Sequence, residues 1–63
     1  MELYIVIKRK RMEKGWSRKE LAEKVGVSVG AIGYYETGQR TPRIGVAKKL
    51  GDVLGFDHME YCE

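Results

Sequence analysis

Apolar residues recur along the chain at helical spacing in four blocks, each closed by a glycine. The first block runs from about Leu3 to Lys14, with Leu3, Ile7 and the stem of Lys10 or Arg11 on one face. Its opening run, LYIVI, is rich in β-branched residues and also fits an edge strand pairing between subunits. The charged stretch from Lys8 to Lys14 continues it without a break and favours a helix. The second block starts at Ser17. Ser17 and Glu20 have the S-x-x-E spacing of a capping box, and Trp16 with Leu21 has that of a hydrophobic staple. Leu21, Ala22 and Val25 share its inner face. Ser28 caps a third helix, with Ile32 and Tyr35 turned inward, which ends near Thr37 and Gly38. The fourth runs from about Arg43 to Leu54, with Ile44, Ala47, Leu50 and Leu54 as its stripe and Val46 and Val53 beside it. The terminal FDHMEYCE has room for one more turn, capped by Asp57. The pattern predicts an all-α, compact bundle of five short helices.

Glycine punctuates this plan. Gly15, Gly26, Gly38 and Gly55 stand where helix ends favour a positive φ. Gly30, Gly33, Gly45 and Gly51 fall inside helices, where each costs about 0.8–1 kcal/mol relative to Ala. Pro42 marks the stop between the third and fourth helices.

Length and charge narrow the function. At 63 residues the chain holds one domain, 1–63, with no second core. The longest apolar run has five residues, whereas a membrane span needs about 20. Its basic stretch follows that run instead of preceding it, unlike a signal peptide. One cysteine, Cys62, allows no internal disulfide and no thiolate zinc site; it reads as a small apolar residue near the end. These features predict a cytoplasmic protein in a reducing compartment. The net charge is +3, with ten Lys+Arg against five Asp+Glu through Arg43 and two against four thereafter. A basic body with an acidic end suggests one polyanion-attracting face.

Residues 17–38, SRKELAEKVGVSVGAIGYYETG, carry the most information. Two short helices about a tight glycine turn make a helix-turn-helix, and Leu21, Ala22, Val25, Val27, Ile32 and Tyr35 are apolar or small where its shared core lies. This stretch and its flanks resemble the lambda-repressor and Cro type of helix-turn-helix proteins, the XRE family. The resemblance rests on R-x-x-x-G-W-S from Arg11 to Ser17, LAEKVGVS from Leu21 to Ser28, I-x-x-Y-E-x-G-x-R-x-P from Ile32 to Pro42, and AKKL…LGFD from Ala47 to Asp57. The last block resembles small phage- and mobile-element-type members. The resemblance implies a five-helix domain that binds operator DNA as a homodimer and regulates transcription, most simply as a repressor.

It also implies roles for individual residues. Val29, Gly30, Gly33 and Tyr34 match the base-facing positions, with Ala31 at the edge. They depart from the usual polar readers: Val29 offers a methyl contact to thymine, Tyr34 one hydroxyl, and the glycines nothing. Few direct hydrogen bonds to bases follow, and DNA shape gains weight. Ser17, Arg18, Ser28, Gln39, Arg40, Thr41 and Arg43 fall where phosphates are contacted, with Lys19 nearby; a helix N-terminus assists at Arg18. The run Lys8 to Arg11 points all ways round a helix and cannot face DNA as one patch. Arg11 and Glu36 match a structural ion pair that joins the first helix to the end of the third.

The remaining chemistry is sparse. His58 has no metal-ligand or catalytic spacing around it and reads as a packing or surface residue. Tyr4, Trp16, Tyr35, Phe56 and Tyr61 read as core aromatics. No paired carboxylates, no placed nucleophile and no phosphate loop suggest an enzyme, and no cofactor, metal, small-molecule ligand or membrane is expected. Leu54, Phe56 and Met59 are the apolar residues expected at a dimer contact. The competing reading is a protein-interaction module on the same fold, an antitoxin or accessory factor with weak DNA binding, whose partner meets the acidic aromatic end.

Overall fold

A computed structural model describes residues 2–61. The expectation for Cys62 lies outside the described residues. The chain forms α1 (Leu3–Glu13), α2 (Arg18–Val25), α3 (Val29–Thr37) and α4 (Ile44–Leu54), followed by a 3-10 helix (His58–Tyr61). No strand occurs among the described residues. The LYIVI run is therefore helical: the amides of Ile5 and Val6 both donate to the Glu2 carbonyl, which starts α1.

The expected fifth helix is corrected to a single 3-10 turn. The turn spans four residues, His58–Tyr61, and Asp57 closes it locally. The Met59 amide donates to Asp57 Oδ1 at 2.9 Å and the Glu60 amide to the Asp57 carbonyl at 3.1 Å. The Glu60 bond is the i→i+3 bond of a 3-10 turn, and the Asp57 carboxylate caps it through Met59.

Packing follows the capping pattern. α2 lies on α3, α1 on α3, α2 and α1 on α4, and the 3-10 turn on α4. Ile7, Leu21, Ala22, Val25, Ile32, Leu50 and Leu54 form the core, and Val6 and Ala47 are also buried. Leu3, Trp16, Val27, Tyr35, Val46, Val53 and Phe56 pack against it in part. Phe56 and Tyr61 meet edge to face, with ring centroids 5.6 Å apart.

Three apolar expectations change. Ile44 stays 70% exposed, because it is the first residue of α4 and lines an open groove with Leu3, Tyr4, Tyr35 and Pro42. Tyr4 is exposed at the first turn of α1 and is not a core aromatic. Leu54 is buried in the core and unavailable to a dimer contact, while Met59 is exposed.

Positive φ occurs at Gly15, Gly26, Gly38 and Gly55, and at no other kind of residue among those described. Gly38 carries a second constraint. Its φ is +79°, and a Cβ there would lie 3.3 Å from the Tyr4 ring. Gly38→Ala is therefore expected to lose about 1–2 kcal/mol from the left-handed backbone alone. The Tyr4 contact adds to this, and a urea melt reads the total.

Candidate nucleic-acid interface

The helix-turn-helix is built by two caps and one turn. Ser17 Oγ accepts from the Glu20 amide at 3.1 Å, and Glu20 Oε1 accepts from the Ser17 amide at 3.1 Å. This reciprocal box begins α2. Gly26 ends it in the left-handed region, with its amide and that of Val27 both donating to the Ala22 carbonyl. Ser28 then caps α3, its Oγ accepting from the Ala31 amide at 3.1 Å. Two residues separate the glycine cap of α2 from α3, so α3 leaves the turn with its first residues outside the core.

The caps decide which residues of α3 face out. Ile32 and Glu36 are buried, while Val29, Gly30 and Tyr34 are exposed and Gly33 is half-buried. Ser17, Arg18, Lys19 and Ser28 are exposed at the two helix starts. Gln39, Arg40, Thr41 and Arg43 are exposed in the loop that follows α3. Ser17 and Ser28 accept hydrogen bonds from their own helices, and each hydroxyl keeps its proton to donate elsewhere. Close helix packing does not explain Gly30 or Gly33: a Cβ at either would meet nothing nearer than 3.6 Å.

Glu36 organises the three helices around this face. Its side chain is fully buried, and Arg11 meets it with two bonds: Nε to Oε2 at 2.6 Å and Nη2 to Oε1 at 3.1 Å. Arg11 Nη1 also donates to the Trp16 carbonyl at 2.7 Å, which ties α1 to the start of the helix-turn-helix. Only Arg11 is expected on Glu36, yet Arg18 Nε also donates to Oε1 at 3.1 Å. The Arg18 side chain is 43% exposed, so it spans from the buried carboxylate to solvent. The one available signal is Gly33, whose missing side chain leaves the path open: Arg18 Nη1 lies 3.6 Å from where its Cβ would be.

Other cations are placed by aromatic rings. The Arg40 guanidinium lies over the Tyr34 ring, 4.9 Å from its centroid. Lys14 and Lys24 lie over Trp16 at 5.4 and 4.6 Å. The Lys8 to Arg11 run is dispersed: Lys8 and Arg9 are exposed, Lys10 and Arg11 half-buried, and Arg11 points inward to Glu36. His58 sits half-buried in the 3-10 turn. No helix among those described is long and apolar enough to cross a membrane.

Comparison with known proteins agrees with this geometry. A family described as helix-turn-helix matches residues 7–60. An uncharacterized HTH-type transcriptional regulator of Bacillus subtilis strain 168, YqaF, is 37% identical over 57 residues, covering 90% of this chain and 75% of that protein. An uncharacterized HTH-type transcriptional regulator of Methanothermobacter thermautotrophicus is 36% identical over 55 residues, covering 87% and 80%. Among solved structures, a chain of the SinR protein/SinI protein complex superposes with a TM-score of 0.84 at 34% identity. That match covers 97% of this chain and 60% of the other.

Proposed function

The chain belongs to the helix-turn-helix family of lambda-repressor and Cro type, and we propose that it is a transcriptional regulator that binds double-stranded operator DNA as a homodimer. One observation carries this reading. α3 is capped and anchored through Ile32 and Glu36, yet Val29, Gly30 and Tyr34 on its opposite side are exposed, with Arg18 beside Gly33 and Arg40 over the Tyr34 ring. A helix so presented fits the major groove, and the cations beside it suit the phosphates that border the groove.

In this reading Val29, Gly30, Gly33 and Tyr34 face the bases, and Ser17, Arg18, Ser28, Gln39, Arg40, Thr41 and Arg43 meet the backbone. Two copies sit on half-sites about 34 Å apart and repress by excluding polymerase. Such a regulator works in the cytoplasm of a bacterium and suits a phage or mobile element. The reading needs no cofactor and no small-molecule ligand.

Selection from a random duplex library at about 50 and about 150 mM salt tests the proposal, since phosphate contacts make affinity fall with salt. The expected product is an inverted repeat with half-sites one helical turn apart. Binding at low salt with no enriched motif would favour the protein-interaction module, which the poverty of hydrogen-bonding groups on α3 keeps in view. Arg18→Ala and Arg40→Ala should each weaken binding to all duplexes by about tenfold and lower the salt slope by about one. Wild-type affinity in either variant would remove that arginine from the backbone contacts.

A further inference from the structure

The outward face of α3 carries no charged side chain of its own. It carries two guanidiniums from elsewhere. Arg18 comes from the first turn of α2 and lies beside Gly33, its Nη1 3.6 Å from the vacant Cβ position. Arg40 comes from the loop after α3 and lies over the ring of Tyr34. Gly33 and Tyr34 are neighbours in sequence, so the two cations are brought against adjacent positions of one helix.

We infer that Gly33 and Tyr34 act on DNA as positioning residues for these two arginines: the bare Gly33 admits the Arg18 head, and the Tyr34 ring seats that of Arg40. The inference rests on the DNA-binding reading and changes what these two positions do within it. Tyr34 then works through its ring face, not its hydroxyl, and Gly33 through the space it leaves.

The chemistry suits this arrangement. Attraction to a ring face uses the charge of the guanidinium and consumes none of its N–H donors. Arg40 therefore keeps its donors for a phosphate while its head is held in place. Arg18 is held differently. Its Nε is taken by Glu36, and its two terminal nitrogens make no hydrogen bond among the described residues. Those nitrogens form the end of the fork that fits a phosphate. Glu36 is in turn fixed by Arg11, so the orientation of Arg18 is set from the core outward. Holding both heads before DNA arrives lowers the ordering cost of binding, which is large for long, flexible cations.

Fluorescence anisotropy on the selected duplex, or on a random one of the same length, tests this with two double-mutant cycles. Tyr34→Phe keeps the ring and should retain most of the affinity that Tyr34→Ala loses. Tyr34→Ala should weaken binding about fivefold, and the Arg40→Ala and Tyr34→Ala pair should be no worse than Arg40→Ala alone. Gly33→Leu fills the path of Arg18 and should match Arg18→Ala, again without adding to it. Gly33→Ala places its Cβ at an ordinary contact distance from Arg18 and should weaken binding far less than Gly33→Leu. In free protein, ring-current shifts of the Arg40 side-chain protons should persist in Tyr34→Phe and vanish in Tyr34→Ala.

Additive losses in either cycle would overturn the inference while leaving DNA binding in place. So would a Tyr34→Phe variant as weak as Tyr34→Ala, which would make the hydroxyl the contact. A wild-type chain that binds no duplex at low salt would remove the DNA reading and this inference together.

Discussion

Glu36→Ala should lower the melting temperature of the domain by about 12–40 °C. A protein of 63 residues is expected to have a stability of about 3–9 kcal/mol. Removing one partner of a buried ion pair costs about 3–5 kcal/mol, because the other charge is left without compensation. Here the stranded partner is Arg11, whose side chain is only 13% exposed and whose head is held inward by the Trp16 carbonyl. Arg18 loses its anchor too, but being 43% exposed it regains water and adds little. The order of effects follows from burial. Glu36→Ala should be the most damaging, Glu36→Gln intermediate because it keeps the shape, and Arg18→Ala nearly silent. Replacing both buried partners, as Arg11→Met with Glu36→Leu, should recover much of the loss, since apolar residues of similar volume often substitute for a buried pair. Circular dichroism melts of the four variants decide it. A melting temperature for Glu36→Ala within a few degrees of wild type would mean that the carboxylate is not a keystone of the three helices.

The same carboxylate shows where sequence reasoning runs out. The helix boundaries are legible because they are written in local chemistry: Ser17 with Glu20, Ser28, and the glycines that follow each helix. Each signal acts within four residues, so the structure differs by little at those ends. The inner face of the helix-turn-helix is legible for the same reason, since Leu21, Ala22, Val25 and Ile32 repeat at helical spacing. Arg18 is different. Its bond to Glu36 spans eighteen positions and depends on the crossing of α2 over α3 and on the gap at Gly33. Nothing within α2 announces it. Ile44 misleads in the opposite way: it continues the apolar stripe of α4, but the helix begins there, before the core does. The terminal turn was legible as a turn and not as its type, because four residues hold too few bonds for periodicity to speak.

The candidate interface is tied to the core by a chain of hydrogen bonds. Arg11 joins Glu36 to the α1–α2 connection, and Glu36 joins Arg18 to α3. A change at the buried end of this chain of bonds therefore reaches the exposed head of Arg18. Under the DNA-binding reading, stability and affinity are coupled at Glu36, whereas Arg40 and Tyr34 sit outside that chain and affect affinity alone.

The α4 glycines give the second large effect, because two residues identical in sequence terms should respond with opposite sign. Gly45 and Gly51 both lie inside α4. Helix propensity alone predicts that Ala at either stabilises by up to about 1 kcal/mol. At Gly45 a Cβ would meet nothing within 4 Å, so Gly45→Ala should raise the melting temperature by a few degrees, somewhat less than the full propensity because it lies in the first turn. At Gly51 the chain has doubled back. The amides of Gly55 and Phe56 both donate to the Gly51 carbonyl, at 2.7 and 3.0 Å, and this closes the end of α4. The return brings the Phe56 carbonyl oxygen to 2.5 Å from the Gly51 Cβ position and the His58 amide to 3.4 Å. The near atom is backbone, so no side chain can swing aside. Either α4 loses its last turn or the segment from Phe56 to Tyr61 lifts away, taking the half-buried Phe56 from the core. Overpacking of this kind costs about 1–3 kcal/mol, which exceeds the helix gain. For a domain of this size that is a fall of about 4–8 °C per kcal/mol. Gly51→Ala melting at or above wild type would show that the terminal turn is loosely held, and that the tight return over α4 contributes nothing to stability.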